Sequence, residues 1–150
     1  MSLESKIVVI TPVRDGEWIL DKYLSATSLW ADTIIIGLDR CTDNSRNVCN
    51  RFNKVQTIKI NSSDENINLK DNRRQILLEA ARKINKNNII IALDVDEIFS
   101  AEILNNDIIA KIKSLEMGDV LNVRFRELWF SPYLYRSEPR SNWSNRLMPC

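Results

Sequence analysis

The stretch "KIVVITPVRDGEWILDKYLSATSLWADTIIIGLD", residues 6–39, contains two short apolar runs on either side of a segment with helical periodicity. The runs at 6–11 and 33–39 are rich in β-branched residues, which is typical of strands buried on both faces. Between them a helix is expected from about Glu17 to Trp30, with one face formed by Leu20, Tyr23, Leu24 and Thr27. Two strands joined by a helical crossover pair in parallel, so this stretch predicts an α/β fold.

The same alternation continues towards the C-terminus. "VQTIKI" at 55–60 alternates polar and apolar residues, so this strand is expected near an edge of the sheet, and "NIIIALD" at 88–94 is a fourth strand. We expect Thr42 or Asp43 to cap a short helix that ends near Phe52. The helix before the fourth strand should turn inward Ile76, Leu77, Ala80, Ala81 and Ile84. The helix after it, capped by Ser100 and ending near Lys113, should turn inward Ile103, Leu104, Ile108 and Ile112.

Beyond Gly118 the pattern changes to the alternation of a half-exposed strand, "DVLNVRFREL", followed by a hairpin return at "SPYLYR". We therefore predict one domain over residues 1–150 with a three-layer αβα, Rossmann-like architecture. Its sheet should be mostly parallel and finished by antiparallel C-terminal strands.

The composition excludes several classes of protein. The chain of 150 residues is 44% hydrophobic and 27% charged with a net charge of +1, which is ordinary for a soluble domain and gives no reason to expect nucleic acid as a partner. No apolar run is long enough to span a membrane. Three glycines, without a GxGxxG or GxxxxGK[ST] pattern, disfavour a dinucleotide-binding or P-loop domain. We expect a cytoplasmic protein, either free or peripheral at the inner face of the membrane.

The residue types also restrict the chemistry. The chain has no histidine, so mechanisms based on a Ser–His or Cys–His pair and imidazole metal sites are excluded. The three cysteines form no CxxC pair and are expected to be inert thiols. Any metal must be held by oxygen ligands, which favours Mg²⁺ or Mn²⁺.

Polar residues follow three of the predicted strands, and the carboxyl ends of parallel strands share one edge of the sheet. These residues are Thr11-Pro12, Asp39 and Asp94-Val95-Asp96-Glu97. The repulsion among the last three carboxylates must be compensated, either by a bound divalent cation or by solvation of a loop that caps the next helix. Arg73 or Arg74 could hold phosphates, or could simply be solvated on the polar side of their helix.

Three segments in order resemble the nucleotide-binding half of the family 2 glycosyltransferases, which have the GT-A fold. They are "IVVITPVRDGEWILDKYLSATSLWADTIIIGLDRCTDNS" from residue 7, "NRRQILLEAA" from residue 72 and "IIIALDVDE" from residue 89. The similarity covers residues 6 to about 104. It implies that 6–118 form the nucleotide-sugar-binding half, and that 119–150 begin an acceptor half that is reduced or truncated.

The resemblance also implies a role for individual residues. Those expected at the nucleotide-sugar are Thr11 and Pro12 beside the nucleoside, Asp39 on the base, Arg73 or Arg74 near the base or diphosphate, Asp94 on the ribose, and Val95. Asp96 would hold Mn²⁺ or Mg²⁺. The segment "GLDRCTDNS" has one aspartate where many relatives have two adjacent ones, so the identity of the base stays open.

The activity that the resemblance implies is an inverting transfer of a sugar from a nucleotide-diphosphate donor to a hydroxyl of a saccharide or lipid-linked acceptor. Such reactions build surface polysaccharides and glycoconjugates. Glu127 is the candidate catalytic base, with a structural ion pair to a neighbouring arginine as the alternative. The tail mixes tryptophans and tyrosines with arginines, which suits a surface that binds sugar. Aromatic side chains left exposed in this tail could also cause the protein to form oligomers.

Two alternatives remain at this point. A haloacid-dehalogenase-like phosphatase also uses a D-x-D after a strand, with Asp94 as the nucleophile. A degenerate domain could bind a nucleotide without catalysing transfer.

Overall fold

The computed structural model describes residues 5–60, 69–85, 87–116, 118–119, 121–124, 126–128, 134 and 146–147. Its strands are β1 (Lys6–Val13), β2 (Thr33–Asp39), β3 (Val55–Ile60), β4 (Asn88–Ala92), β5 (Leu121–Asn122) and β6 (Arg146–Leu147). Its helices are α1 (Glu17–Thr27), α2 (Ser45–Cys49), α3 (Leu69–Arg82) and α4 (Asn106–Lys113), with a 3₁₀ turn at Ala101–Leu104.

The first four strands form one parallel sheet in the order β3-β2-β1-β4. The predicted α/β class and parallel pairing are therefore confirmed, and β3 lies at an edge as its alternating pattern indicated. The chain builds β1, β2 and β3 in one direction and then crosses back to place β4 on the other side of β1. This reversal makes the carboxyl ends of β1 and β4 the switch point, where open α/β sheets bind their ligands.

Helices cover both faces of this sheet because β1, β2 and β4 are apolar on both sides. β1 contributes Ile7 and Val9 to a buried cluster with α1 and α2, and contributes Val8 and Ile10 to a separate cluster with α3. The four residues predicted for the inner face of the first helix are all buried. On α3, Leu77 is fully buried, so the helix is held firmly against β1 and β2.

Gly37 lets α3 approach β2 closely. A Cβ atom at this position would lie 2.6 Å from Ile60 Cδ1 and 3.0 Å from Leu77 Cδ2. Because these distances are shorter than a van der Waals contact, any larger residue would force the side chains of Ile60 on β3 and Leu77 on α3 to shift. The glycine therefore helps to set the position of α3 above the end of β2.

Several predicted helix boundaries are wrong. The first helix ends at Thr27 rather than Trp30, and α2 runs from Ser45 only to Cys49. The predicted fourth helix is split, because Asn105 has an extended backbone and its side chain accepts a hydrogen bond from the Asp107 N–H to start α4. Of its four residues expected to face inward, Ile103 and Ile112 are buried, whereas 47% of Leu104 and 37% of Ile108 is exposed.

The predicted antiparallel finish of the sheet is not shown. Within the described residues, β5 and β6 form a separate antiparallel pair of two residues each. Leu121 and Val123 pack against the core cluster of α1 and α2. The predicted return at "SPYLYR" and the aromatic tail residues Trp129, Tyr133, Tyr135 and Trp143 lie outside the described residues. None of the described helices is long and apolar enough to cross a membrane.

Candidate functional site

The carboxyl edge of the sheet brings together three loops. β1 and β2 end side by side, with Val13 paired to Leu38, and β4 flanks β1 as far as the pair Ile10–Ala92. The chain then leaves this edge through residues 14–16, 40–44 and 93–100. Two of the predicted polar positions, Asp39 and Asp94, therefore lie on opposite sides of the end of β1.

Asp39 is the last residue of β2, and its side chain is completely buried. Its Oδ2 atom accepts a hydrogen bond of 2.9 Å from Arg73 Nη1, and its Oδ1 atom accepts one of 3.3 Å from Arg40 Nε. A carboxylate without solvent is stable only when it is paired in this way. Asp39 therefore ties the end of β2 to α3.

Asp94 makes a different kind of ion pair at the other side of β1. Its Oδ1 atom accepts a hydrogen bond of 2.8 Å from Arg74 Nη2, and 52% of each side chain is exposed. The sequence left open which of the two arginines reaches the site. The structure brings both to it, because Arg73 pairs with the end of β2 while the next residue pairs with the loop after β4.

The acidic stretch after β4 forms a closed turn. The Glu97 N–H donates to the Asp94 carbonyl oxygen, and the Asp94 N–H donates to Glu97 Oε2, both at 3.0 Å. Val95 is half-buried and packs against the core cluster. Glu97 therefore holds the turn in shape.

Asp96 is the carboxylate of this turn that is left available. It is exposed and makes no hydrogen bond or ion pair with the part of the chain that the structure describes. An exposed carboxylate beside a second one, Asp94, supplies the hard oxygen ligands that Mg²⁺ and Mn²⁺ prefer. The residues present at this turn thus fit a divalent cation.

The predicted end of the first strand at Thr11-Pro12 is wrong. Pro12 and Val13 continue the pairing with β2, so the strand ends two residues later. Thr11 is completely buried, and its hydroxyl forms a hydrogen bond with the Tyr23 hydroxyl. Burial raises the pKa of Tyr23 to about 12, so the phenol stays neutral. The Thr11 side chain therefore joins β1 to α1 instead of facing the edge of the sheet.

The sequence analysis missed a set of acidic residues that joins the first two loops. Asp15 Oδ1 accepts hydrogen bonds from the Thr42 N–H at 2.7 Å and the Asp43 N–H at 3.4 Å. In return, Asp43 Oδ2 accepts from the Glu17 N–H at 2.8 Å, and Glu17 Oε2 accepts from the Asn44 N–H at 3.0 Å. Each loop thus satisfies backbone donors of the other, which a residue pattern cannot reveal.

Asp43 was expected as a helix cap, and its structural role is broader. Its Oδ1 atom accepts from the Ser45 N–H at the start of α2, although Asn44 occupies the N-cap position. Desolvation opposes ionisation of Asp43, but hydrogen bonds from Ser45 and from the Glu17 N–H outweigh it and lower the pKa of this carboxyl group. The carboxylate form is the one that the two loops stabilise.

Asp15, Cys41 and Asp43 have ligand atoms within 4.8 Å of one another. Cys41 Sγ donates to the Val13 carbonyl oxygen at 3.4 Å, and burial raises the pKa of this thiol. Since a metal ligand must be the thiolate and both carboxylates already accept backbone hydrogen bonds, we interpret this group as structural. Burial also raises the pKa of Cys49 to about 11, so neither of these two thiols is activated as a thiolate, and the third predicted inert thiol, Cys150, lies outside the described residues.

Glu127, the candidate base, lies in an irregular stretch after β5 and is half-buried. It belongs to the short described segment 126–128, and its relation to the turn at Asp94–Glu97 stays a prediction. Comparison with known proteins returned no match, since no family model fits the chain and no curated protein is significantly similar to it.

Proposed function

We propose that this chain is the donor-binding part of a glycosyltransferase with the GT-A fold. It would bind a nucleotide-diphosphate sugar together with Mn²⁺ or Mg²⁺ and transfer the sugar to an acceptor hydroxyl, with inversion. The proposal rests on the ordered resemblance of residues 6 to about 104 to family 2 glycosyltransferases. The parallel sheet with helices on both faces is compatible with it.

One observation supports the proposal more than any other. The turn after β4 lies at the switch point and exposes Asp94 and Asp96, and consecutive arginines of α3 reach the same edge from the other face. A negative turn for a cation, beside positive side chains for phosphate, suits a metal-bound diphosphate. A solvated loop would not need arginines on both sides of the β1 end.

The residues would divide the work as follows. Asp96 would hold the cation and Asp94 would meet the ribose, while Val95 between them packs against the core cluster. Asp39 would meet the base, and Arg73 and Arg74 are the proposed partners of the base or the diphosphate. The bound cation would neutralise the charge that grows on the leaving diphosphate. Glu127 is the proposed base that removes the proton of the acceptor hydroxyl.

The setting of the reaction is also part of the proposal. The acceptor would be a saccharide or a lipid-linked saccharide, as in the synthesis of surface polysaccharides and glycoconjugates. The protein would catalyse this transfer in the cytoplasm, either free in solution or bound at the inner face of the membrane.

The decisive experiment is a titration of the protein with UDP, GDP, CDP and dTDP, each with and without Mn²⁺. We expect one nucleotide to bind much more tightly with Mn²⁺, and Asp96→Ala to remove that difference. Asp21→Ala is the matched control, because it removes an exposed aspartate from the surface of α1. Equal affinity with and without Mn²⁺ in the wild-type protein would exclude the metal role.

Turnover separates an enzyme from its alternatives. Transfer or slow hydrolysis of the nucleotide-sugar, lost in Asp96→Ala, would indicate a transferase, whereas binding without turnover would indicate a degenerate domain. A phosphatase with Asp94 as nucleophile would be trapped by beryllium fluoride as an adduct on that residue.

A further inference from the structure

We propose that Arg74 is an exchangeable counter-ion of the acidic turn. In the free protein it neutralises Asp94, and when a divalent cation binds the turn, the guanidinium moves from Asp94 to the diphosphate of the ligand. This inference rests on the proposed function and adds to it an order of events, in which the cation prepares the site for the diphosphate.

The geometry of the ion pair permits exchange. A single hydrogen bond joins Arg74 Nη2 to Asp94 Oδ1, and within the described residues the second oxygen of Asp94 accepts none. About half of each side chain is in contact with solvent. Pairs of this kind contribute little to stability, so water or another ion can replace either partner at small cost.

The charges of the turn explain why a cation would compete with Arg74. Asp94, Asp96 and Glu97 place three carboxylates within four residues, and their repulsion needs a positive charge nearby. The guanidinium supplies one charge to one of these carboxylates. A divalent cation supplies two and can bind Asp94 and Asp96 together, so it would satisfy the same turn more completely.

The neighbouring residue keeps the helix in place during such an exchange. Arg73 is held by the buried carboxylate of Asp39, and Leu77 fixes the next turn of α3 in the core. Releasing Arg74 therefore does not require α3 to move. The long side chain of Arg74 ends in a planar guanidinium whose geometry matches the oxygens of a diphosphate. A phosphate group is therefore a suitable second partner for Arg74.

This arrangement predicts coupling between two ligands. As long as Arg74 pairs with Asp94, it opposes the cation and is not free for phosphate. Cation binding removes both obstacles at once, so the diphosphate should bind better after the cation, and the reverse must also hold because the coupling is reciprocal.

The first test is a Mn²⁺ titration of the protein without nucleotide, followed by electron paramagnetic resonance. Arg74→Ala should bind Mn²⁺ at least about threefold more tightly than the wild type, because a nearby positive charge is lost. Arg82→Ala is the matched control on the same helix, eight residues further on. This is about 12 Å along the axis and more than the Debye length of about 8 Å in 0.15 M salt, so its affinity should change by less than about twofold.

The second test measures the other half of the exchange with methylenediphosphonate, a pyrophosphate analogue, at saturating Mg²⁺. Arg74→Ala should bind it about tenfold more weakly by isothermal titration, since a charge-assisted hydrogen bond is lost. A general loss of structure would weaken both ligands, whereas exchange predicts opposite changes for the two. Arg74→Gln, which keeps a donor and loses the charge, should also tighten Mn²⁺ binding.

The outcomes separate this inference from the proposed function. If Asp96→Ala abolishes Mn²⁺ binding but Arg74→Ala leaves it unchanged, or if Arg82→Ala has an equal effect, the exchange is wrong and the metal site stands. If Asp96→Ala binds Mn²⁺ as tightly as the wild-type protein does, both the exchange and the metal role of Asp96 are wrong. Tighter Mn²⁺ and weaker diphosphonate binding in Arg74→Ala supports the exchange.

Discussion

The ends of β2 and β4 each carry an aspartate paired with an arginine from the same turn of α3, yet the two pairs differ physically. Asp39 is buried, and both of its oxygens accept hydrogen bonds from arginines. Asp94 is half-exposed and accepts one. The pair of Asp39 with Arg73 is part of the packing between the sheet and α3, whereas the pair of Asp94 with Arg74 lies on the surface of the protein.

The comparison shows how one helix can serve stability and binding at once. Breaking a buried pair leaves a charge without solvent, while breaking an exposed pair leaves two charges that water can solvate. We therefore expect changes at the β2 end to alter the free energy of unfolding. Changes at the β4 end should alter ligand binding instead.

The largest expected effect on stability is at the buried pair. Arg73→Ala should lower the free energy of unfolding by about 3 kcal/mol, because the buried carboxylate of Asp39 loses its 2.9 Å hydrogen bond from Arg73. Arg74→Ala, the matched change one residue away, should cost less than about 1 kcal/mol. Urea unfolding of both variants measures the difference, and equal losses would show that burial does not distinguish the two pairs.

The next effect tests the packing that brings Arg73 to Asp39. Gly37→Ala should cost about 1–3 kcal/mol, since its new methyl group would overlap Ile60 and Leu77. Because α3 would be displaced from β2, the pair of Asp39 with Arg73 should weaken as well. A double-mutant cycle of Gly37→Ala with Arg73→Ala checks this, and strictly additive losses would mean that the packing and the ion pair are independent.

A smaller effect depends on pH and concerns the loops that support both ends. The pKa of Asp43 is lowered in the folded protein, so its contribution to stability is complete above its unfolded pKa of about 3.9. The contribution is lost as the pH falls through the folded value. The stability difference between wild type and Asp43→Asn should therefore shrink between pH 6 and pH 3, and a difference that grows on acidification would contradict the assignment.

The smallest effect on stability is expected at Asp96, the carboxylate that we propose as the cation ligand. Asp96→Ala should change the free energy of unfolding by less than about 0.5 kcal/mol, because Asp96 is exposed and makes no hydrogen bond or ion pair with the described residues that the change could break. A thermal melt without metal measures this. A large loss would show that Asp96 has a structural role, and the comparison between the two ends would fail.

Local patterns were sufficient for much of the fold. The parallel strands and the inner face of α1 were predicted correctly because burial on both faces makes a strand continuously apolar, and burial of one face gives a helix a period of 3.6 residues. The boundaries were predicted less well. β1 continues to Val13 because β2 offers it a partner, and the fourth helix breaks at Asn105 because a local cap competes with its continuation.

The positions of the candidate residues depended on contacts between distant parts of the chain. The sequence placed Asp39, Asp94 and Asp96 at one edge, because each follows a parallel strand. It could not assign Arg73 and Arg74 to partners 34 and 20 residues away, since that depends on how α3 is rotated against the sheet. It also missed the hydrogen bonds of Asp15 and Glu17, which join loops that meet only after folding.

The sequence alone therefore determined the class of the fold and the edge of the sheet that carries the acidic residues. These features follow from the periodicity of apolar residues, from the order of strands and helices along the sequence, and from residue type. Only the tertiary structure decided that Asp39 is buried and Asp94 exposed. Burial depends on the close packing of α3 at Gly37, and solvent then determines which of two similar ion pairs is permanent and which can be exchanged.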